Sequence, residues 1–306
     1  MAKSLGKIAI IGAGAIGGYY GALLARKGHD VHFLFRSDFD VVKREGLLIR
    51  QNEGEDFTIK DINTYRETQE IGPVDLVIIA IKATGTNELG ELLAPLVHDK
   101  TVILTLQNGL GNAEFLAEKF NASNVIGGLC FTCINRINPG VIHSIYHGTV
   151  RIAEFKGNSM ERVNAISEVL KKSEIKCAGS PSLNEILWKK LCWNIPFNGL
   201  SIVSGGITTD RILEDKELYE SVRSLMREVQ LIAKAYGIEI LDEFLDKQVE
   251  ITYPMGPYKP SSLIDFLNKR PVEVEAIFGE PLRRAQAENL PTPHLAKLYA
   301  SLRTIA

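Results

Sequence analysis

The opening of the chain places two short apolar runs on either side of a segment with helical periodicity. Lys7–Ile11 and Val31–Phe35 consist mostly of β-branched and aromatic residues, which is typical of strands. Between them, over Ala15–Lys27, apolar residues recur at helical spacing, and Gly28 follows as a C-terminal cap. The pattern predicts strand, turn, helix and strand, which is the βαβ unit of a parallel sheet.

Further apolar runs predict that this sheet continues. Val74–Ile81 and Val102–Leu106 are apolar at nearly every position, as strands buried on both faces should be. Gly140–Tyr146 and Thr149–Phe155 alternate instead, and His147-Gly148 between them predicts a hairpin turn. The other elements predicted in this part of the chain are a strand at Val125–Ile134, a helix at Ser159–Lys172 and a strand at Ile175–Ala178.

The patterning changes after Gly179-Ser180-Pro181, where a period of about 3.6 residues takes over. The segments predicted to be helical are Leu183–Val203, Asp215–Tyr236, Leu241–Thr252, Ser262–Leu267, Val272–Glu288 and Thr292–Ile305. The sequence therefore predicts an α/β protein. An α/β domain is expected over residues 1–181, and an all-helical domain over residues 182–306.

Composition and charge exclude several classes of function. The 306 residues carry 35 Lys and Arg against 37 Asp and Glu, a net charge of −2, so no basic field favours nucleic acid or a membrane surface. No stretch approaches the ~18 apolar residues that span a bilayer. Four cysteines are too few for a disulfide framework and indicate a reducing compartment, so we expect a cytoplasmic protein.

The turn after the first predicted strand matches a nucleotide-binding pattern. Gly12-Ala13-Gly14-Ala15-Ile16-Gly17 fits G-x-G-x-x-G, and it leaves a predicted strand and opens a predicted helix. The first glycine permits the tight turn, the second lets the backbone approach a pyrophosphate, and the third lets helix and strand pack closely. The alternative is a glycine-rich turn that binds no ligand.

The residue after the second strand indicates which dinucleotide is bound. NAD-selective proteins carry Asp or Glu about twenty residues after the glycines, where the carboxylate binds the ribose hydroxyls. This chain has Arg36-Ser37 there, and an arginine offers charged donors to the 2′-phosphate of NADP. Two alternatives stay open. Arg36 could be an ordinary solvent-exposed residue, and Asp38 nearby could act as the acid of an NAD site. We expect NADPH rather than NADH.

Polar residues follow two further predicted strands. Lys82 comes after Val74–Ile81, and Asn108 comes after Val102–Leu106. Ligands of doubly wound sheets bind beyond the carboxyl ends of the strands, so Lys82 is expected to face cofactor or an anionic substrate and Asn108 to hydrogen-bond the nicotinamide or the substrate. The alternative for each is an ordinary strand end in solvent.

The first predicted helix of the second domain carries a polar stripe. Lys190, Asn194 and Asn198 are spaced by four residues on an otherwise apolar helix, so they share one face. Because unpartnered buried polar groups are costly, the stripe indicates a polar ligand, although a snorkelling lysine and ordinary helix–helix hydrogen bonds are an alternative. Pro196 predicts a kink or break between Asn194 and Asn198.

Together these residues resemble the ketopantoate reductase (2-dehydropantoate 2-reductase) family nearly end to end. The most specific features are the Trp188–Asn198 segment, the serines at Ser261-Ser262, and Arg270-Pro271-Val272-Glu273. The resemblance implies a Rossmann domain, a helical domain and a small 2-oxo acid substrate. It also implies NADPH-dependent reduction of 2-dehydropantoate to pantoate, for pantothenate and coenzyme A synthesis.

The resemblance also implies residue roles. Lys190 is the expected proton donor and Glu273 the second catalytic residue; Asn108, Asn194, Asn198 and Ser262 are expected to bind substrate. A protonated lysine can polarise a ketone and then protonate the developing alkoxide, and Ser262 with helix-start amides can hold a carboxylate. Glu273 alternatively serves only the helix dipole after Pro271. The expected cofactor contacts are Gly12, Ala13, Gly14, Ala15, Ile16, Gly17, Arg36, Lys82, Asn108, Cys133 and Glu273.

The chain departs from the family's pattern at three places. The segment from Ser262 to Glu273 is one residue short, Lys269 stands where glycine is usual, and a further polar contact would fall only loosely near Thr208. These departures concern the identity of the substrate more than the type of reaction.

Cys130-Phe131-Thr132-Cys133 is a C-x-x-C pattern on a predicted strand, where the two cysteines would point to opposite faces. We therefore interpret Cys130 and Cys133 as buried small residues rather than a redox pair or zinc ligands, and we expect no metal.

Two other functions stay open on the sequence alone: a related NADP-dependent reductase of another small 2-oxo or hydroxy acid, and a non-catalytic NADP-binding sensor. The sensor would be expected to lose Lys190 or Glu273, and both are present. The helical domain could also pair two subunits into a homodimer.

Overall fold

The chain divides into two units in a computed structural model that describes residues 5–157 and 159–305. One unit comprises the chain up to Gln107 together with Asn112–Leu183, and the other comprises Asn108–Gly111 together with the chain from Asn184 onward. Residues 1–4 and 306, at the ends of the two predicted domains, lie outside the described residues, as does residue 158.

The first unit is a mixed sheet whose strand β1 is buried from its second residue onward. Ile8–Ile11 are 0% exposed, because β1 pairs in parallel with a strand on each side and is covered on both faces. The strands are β1 (Lys7–Ile11), β2 (Asp30–Leu34), β3 (Leu47–Gln51), β4 (Phe57–Ile59), β5 (Asn63–Tyr65), β6 (Leu76–Ile79), β7 (Val102–Thr105), β8 (Val125–Asn138), β9 (Val141–Glu154) and β10 (Cys177–Gly179). Their order is β4-β3-β9-β8-β7-β6-β1-β2-β5, with β10 paired to β9.

Among its described residues this unit has six α-helices, and the first lies close to the sheet. A Cβ on Gly21 would come within 2.4 Å of the Phe33 ring, so only glycine lets α1 approach β2 this closely. The helices are α1 (Ala15–Arg26), α2 (Phe39–Glu45), α3 (Thr68–Ile71), α4 (Leu89–Leu93), α5 (Asn112–Lys119) and α6 (Glu161–Lys172), and short 3₁₀ turns lie at Ala83–Glu88 and Ala122–Asn124.

The long hairpin differs from the prediction. β8 and β9 are each 14 residues long and pair antiparallel from Asn138 opposite Val141 inward. Their turn is therefore Pro139-Gly140, where Gly140 has φ +69°, and the predicted turn at His147-Gly148 is wrong. His147-Gly148 lies within β9 near a shift of register, and Gly148 has φ +59°. A glycine with positive φ suits a bulge as well as a hairpin turn, so His147-Gly148 is compatible with either.

The second unit is helical around a core of large side chains. Trp188, Phe197 and Phe278 are all 0% exposed. Its helices are α7 (Leu183–Val203), α8 (Thr209–Glu214), α9 (Lys216–Ala235), α10 (Asp242–Glu250), α11 (Ser261–Leu267), α12 (Glu280–Ala287) and α13 (Pro293–Ile305), with a 3₁₀ turn at Tyr253–Met255 and a π-helical turn at Glu275–Gly279. The predicted class, an α/β Rossmann-type domain followed by a helical domain, is confirmed.

No helix in residues 5–157 and 159–305 has both the length and the apolar character that a membrane span requires.

Helix α7 continues through Pro196, so of the predicted kink or break between Asn194 and Asn198 a break does not occur. Proline removes one backbone donor from a helix. Residues 191–200 are all buried, and packing on every side holds the helix together. The side chain of Asn198 also donates to the carbonyl of Asn194 across the proline, at 3.0 Å.

Lys269 has a left-handed backbone directly after α11. Its φ is +54°, and the next N–H, of Arg270, donates to the carbonyl of Asp265 at 2.9 Å in the manner of a helix C-terminal cap. This explains why the family pattern has glycine here, since a side chain bearing Cβ costs roughly 1 kcal/mol in this conformation.

We expect Lys269→Gly to raise the free energy of unfolding of the helical unit by about 1 kcal/mol, because glycine adopts a positive φ without strain. Urea unfolding followed by circular dichroism measures this change. Glu288→Gly is the control, since Glu288 also lies at the end of a helix, as the C-cap of α12, but has φ −95°, where glycine brings no relief. Equal effects of the two substitutions would contradict the assignment of strain to Lys269.

Candidate functional site

Two glycines of the turn after β1 are required by the protein itself. Gly12 has φ +95°, and a Cβ on it would lie 2.5 Å from the backbone nitrogen of Ile81. A Cβ on Gly17 would lie 2.3 Å from the carbonyl oxygen of Gly12. The turn therefore reverses tightly and α1 packs directly on it, which matches two of the three roles that the motif predicts.

Gly14 differs from these two glycines because, within residues 5–157 and 159–305, nothing beyond its own neighbouring backbone lies within 4 Å of a Cβ built on it. It is the N-cap of α1, a helix of 12 residues whose first turn carries no acidic side chain. A helix N-terminus attracts anions, and the missing side chain leaves space beside it. This turn therefore fits the pyrophosphate of a dinucleotide, with Gly14 as the residue that admits it.

The charged residues that follow β2 differ in their exposure to solvent. Arg36 and Ser37 are exposed, whereas Asp38 is 4% exposed. One carboxylate oxygen of Asp38 pairs with Arg136, and the other accepts the N–H of Gly140 at 3.1 Å. Asp38, the residue that weakened the expectation of NADPH, is thus engaged within the protein. Sequence reasoning missed Arg136, since no local pattern connects it to Asp38.

Lys82 and Gln107 lie at the ends of two neighbouring strands. Lys82 is exposed and immediately precedes the 3₁₀ turn Ala83–Glu88. Gln107 is buried; its side-chain nitrogen donates to Thr86 at 3.0 Å, and its oxygen accepts from the Thr105 hydroxyl at 3.0 Å. The hydrogen bonds of Gln107 therefore connect the end of β7 to the 3₁₀ turn that follows Lys82, and Lys82 itself is exposed to solvent.

The four cysteines are thiols that differ in burial. Cys130 and Cys133 are half-buried rather than buried, so that part of the prediction is wrong; Cys133 lies at a register shift of β8 and accepts a weak hydrogen bond from Asn135 at 3.9 Å. Burial raises the pKa of the Cys177 thiol and raises that of Cys192 to about 12, so neither is a thiolate at neutral pH. Within the described ranges, no group of three potential metal-binding side chains occurs.

A chain of three polar side chains lies in the helical unit. The ammonium of Lys190 donates to Oδ1 of Asn108 at 2.7 Å, and Nδ2 of Asn108 donates to Oε2 of Glu273 at 3.1 Å. Lys190 and Asn108 are half-buried, and Glu273 is 3% exposed. The amide thus turns its oxygen to the cation and its NH₂ to the carboxylate, the only pairing its donors and acceptor allow.

The backbone beside Asn108 is fixed on the segment that follows Glu273. Leu110 donates its N–H to the carbonyl of Ala276 at 2.9 Å, and a Cβ on Gly109 would lie 2.2 Å from that oxygen. Gly109 also has φ +82°. Only glycine allows this close contact. A glycine therefore follows Asn108 because the backbone at this point packs directly on Ala276.

The rest of the predicted stripe is tied to α11. Asn198 accepts the backbone N–H of Ser262 through Oδ1 at 3.0 Å and donates to the carbonyl of Asn194. The backbone amide of Ser262 is therefore already hydrogen-bonded within the protein. Asn194 is buried on the same helix, at 6% exposure.

Two buried hydroxyls on α7 and α11 have no hydrogen-bond partner among the described residues, those of Ser262 and Ser201. Ser201 follows Asn198 by three residues and extends the polar stripe. The stripe was identified by steps of four residues, and that spacing does not include Ser201. A buried hydroxyl without a partner loses about 1–3 kcal/mol of hydrogen-bonding free energy, so these two groups are candidates for contact with a ligand.

Comparison with known proteins covers nearly the whole chain. Residues 8–157 match the sequence model of the family described as "Ketopantoate reductase PanE/ApbA", and residues 182–306 match "Ketopantoate reductase PanE/ApbA C terminal". A 2-dehydropantoate 2-reductase of a Nostoc species is 40% identical over 302 residues, 97% of this chain and 94% of that protein.

Solved structures agree with these matches. A 2-dehydropantoate 2-reductase from Geobacter metallireducens is 40% identical with a TM-score of 0.95, over 98% of this chain and 100% of that one. One from Methylococcus capsulatus is 33% identical with a TM-score of 0.88, over 97% and 96%. The chain is thus an oxidoreductase, and it belongs to the ketopantoate reductase family.

Proposed function

We propose that this protein reduces the ketone of 2-dehydropantoate to pantoate with NADPH, and that Lys190 donates the proton. The observation that carries the proposal is the chain of hydrogen bonds from Lys190 through Asn108 to Glu273. Family membership supports the reaction class, and the relatives named 2-dehydropantoate 2-reductase support the substrate. Pantoate would serve pantothenate and coenzyme A synthesis.

The arrangement of Lys190 suits ketone reduction. NADPH, when bound, supplies a hydride to the keto carbon. As the C=O π electrons move onto oxygen, that oxygen needs a proton, and a lysine side chain is ordinarily an ammonium at neutral pH. Asn108 aims the ammonium by accepting one of its N–H groups. Lys190 stabilises the developing alkoxide and then protonates it, so the product is an alcohol and the lysine recovers its proton from solvent.

Glu273 acts through Asn108 in this proposal. Its carboxylate accepts the Asn108 amide and so keeps the amide oxygen turned towards Lys190. If the amide rotated by half a turn, its NH₂ would face the ammonium and its oxygen would face the carboxylate, which is unfavourable at both ends. Glu273 is therefore a positioning residue for the proton donor.

The glycine turn and the end of β2 are the proposed cofactor site. The space beside Gly14 at the N-terminus of α1 suits a pyrophosphate, and exposed Arg36 suits a 2′-phosphate. Lys82, exposed at the neighbouring strand end, supplies a further cation. For Cys133 the proposal rests on the family resemblance alone.

The substrate is proposed to contact the polar stripe of α7 and α11. The Ser262 hydroxyl is buried and without a partner among the described residues, so an oxygen of the substrate would complete its hydrogen bonding. Asn194 contributes a further amide on the same helix face as Lys190. Asn198 fixes the position of Ser262 through its backbone, which makes its contribution one of support as well as contact.

Homodimer formation and a cytoplasmic location stay predictions. All four cysteines are thiols, which suits a reducing compartment.

We expect Gly14→Ala to weaken NADPH binding at least tenfold while the melting temperature changes little, because the new methyl group meets no protein atom but occupies the approach to the pyrophosphate. Calorimetric titration and thermal unfolding measure the two effects. Gly90→Ala is the control: it adds a methyl group in α4 whose first neighbour is Lys119 at 3.9 Å, and it should change neither. Unchanged NADPH affinity in Gly14→Ala would refute the cofactor site.

We expect Lys190→Ala to lower kcat for 2-dehydropantoate by about 10²–10⁴-fold, with little change in NADPH affinity, because the proton donor is lost. Steady-state kinetics and calorimetric titration of NADPH measure these quantities. Lys189→Ala is a close control, since Lys189 is the adjacent lysine on α7 but pairs with Glu185. If both variants kept normal turnover, Lys190 would not be the acid.

We expect 2-dehydropantoate to give a kcat/KM at least about 100-fold higher than its analogue 3,3-dimethyl-2-oxobutanoate, because a site that hydrogen-bonds a hydroxyl rejects the compound that lacks it. NADPH oxidation measured over a panel of 2-oxo acids tests this. A higher kcat/KM for another member of the panel would favour the alternative, a reductase of a different small 2-oxo acid. NADPH binding without turnover of any of them would favour a sensor.

A further inference from the structure

Arg136, near the end of β8, lies against the residues that follow β2. Its guanidinium donates to Oγ of Ser37 at 3.0 Å and forms an ion pair with Oδ1 of Asp38. Ser37 also donates to Oδ1 of Asp38, at 2.8 Å. The Asp38 side chain is 5% exposed, whereas that of Arg136 is 38% exposed, so the guanidinium joins a buried carboxylate to the surface.

This pairing changes the charge that the end of β2 offers to a cofactor. A carboxylate in this region of a dinucleotide-binding domain binds the ribose hydroxyls of NAD and repels a 2′-phosphate. Asp38 is poorly placed for either role, because it is 4% exposed and its oxygens already accept hydrogen bonds from Arg136, Ser37 and the Gly140 N–H. The end of β2 therefore carries two guanidinium groups, of Arg36 and Arg136, and one carboxylate, whose charge Arg136 neutralises.

The geometry also leaves Arg136 able to reach an anion. Both of its contacts to Ser37 and Asp38 use the same nitrogen, Nη1, and a guanidinium carries five N–H donors arranged as a fork. Ser37, which it contacts, is the residue directly after Arg36. A phosphate beside Arg36 and Ser37 would therefore meet a second cation that is already held in place.

We propose that Arg136 is a specificity-determining residue for NADPH, which masks Asp38 and adds a second guanidinium for the 2′-phosphate. The inference rests on the proposed function for the identity of the cofactor. It does not depend on the substrate or on Lys190.

The test compares two ligands that differ only in the 2′-phosphate, 2′,5′-ADP and 5′-AMP, by calorimetric titration of the full chain. Neither compound reacts, so the result is independent of turnover. The quantity measured is discrimination, the ratio of the Kd for 5′-AMP to the Kd for 2′,5′-ADP. We expect Arg136→Gln to lower it at least tenfold, as Arg36→Gln should also do, since each loses a charged donor to phosphate.

Arg162→Gln is a matched control for the loss of an ion pair. Arg162 is 31% exposed and pairs with Glu154, which is 8% exposed, so its environment closely parallels that of Arg136 and Asp38. It should lower the melting temperature to a similar extent and leave discrimination unchanged. If Arg136→Gln weakened both ligands equally, or neither, Arg136 would be a structural clamp and the proposal would be overturned.

A double variant covers the case in which an unpaired Asp38 prevents folding. Asp38→Asn with Arg136→Gln leaves no buried charge, and we expect it to fold with discrimination about tenfold below the unsubstituted chain, because the guanidinium is still missing. Unchanged discrimination in the double variant would overturn the proposal. No discrimination in the unsubstituted chain would overturn both this inference and NADPH as cofactor, whereas failure to reduce 2-dehydropantoate would affect only the proposed reaction.

Discussion

In the helical unit the side-chain amide of Asn108 bridges the ammonium of Lys190 and the carboxylate of Glu273. Without Asn108, the carboxylate of Glu273, which is 3% exposed, would lose the hydrogen bond from its amide. Buried charges are tolerated only when they are hydrogen-bonded. Asn108 meets both requirements because its two ends have opposite polarity. The left-handed Gly109 and the contact of Leu110 with Ala276 follow from the need to keep that amide in place.

Much of the fold was predictable because its signals are local. The bounds of α7 and the start of β1 were predicted to the residue, since an apolar run or a helical period identifies each element without reference to the rest of the chain. The short strands β4 and β5 were missed, because partly exposed strands of three residues lack a sufficient pattern. The turn of the long hairpin was misplaced, because a bulge at His147-Gly148 uses the same residues as a turn.

The candidate site was predictable in its residues more than in its connections. Lys190, Asn108 and Glu273 were named from motif and resemblance, but their order of hydrogen bonding depends on which side chains the fold brings together. Asn198 was expected to face a ligand, whereas its oxygen holds the backbone of Ser262. Partners that are distant in sequence leave no periodic trace, so spacing on one helix cannot reveal them.

The engagement of Asp38 by a residue of the hairpin bears on how such a protein could be re-engineered. The two partners are 98 positions apart, on segments that no single loop exchange would carry together. An exchange limited to the turn after β2 would introduce a ribose-binding acid but leave Arg136 in place. The guanidinium of Arg136 would then neutralise the new carboxylate. Conversion to the non-phosphorylated dinucleotide would have to begin at the hairpin, in a part of the sequence that contains none of the nucleotide-binding motif.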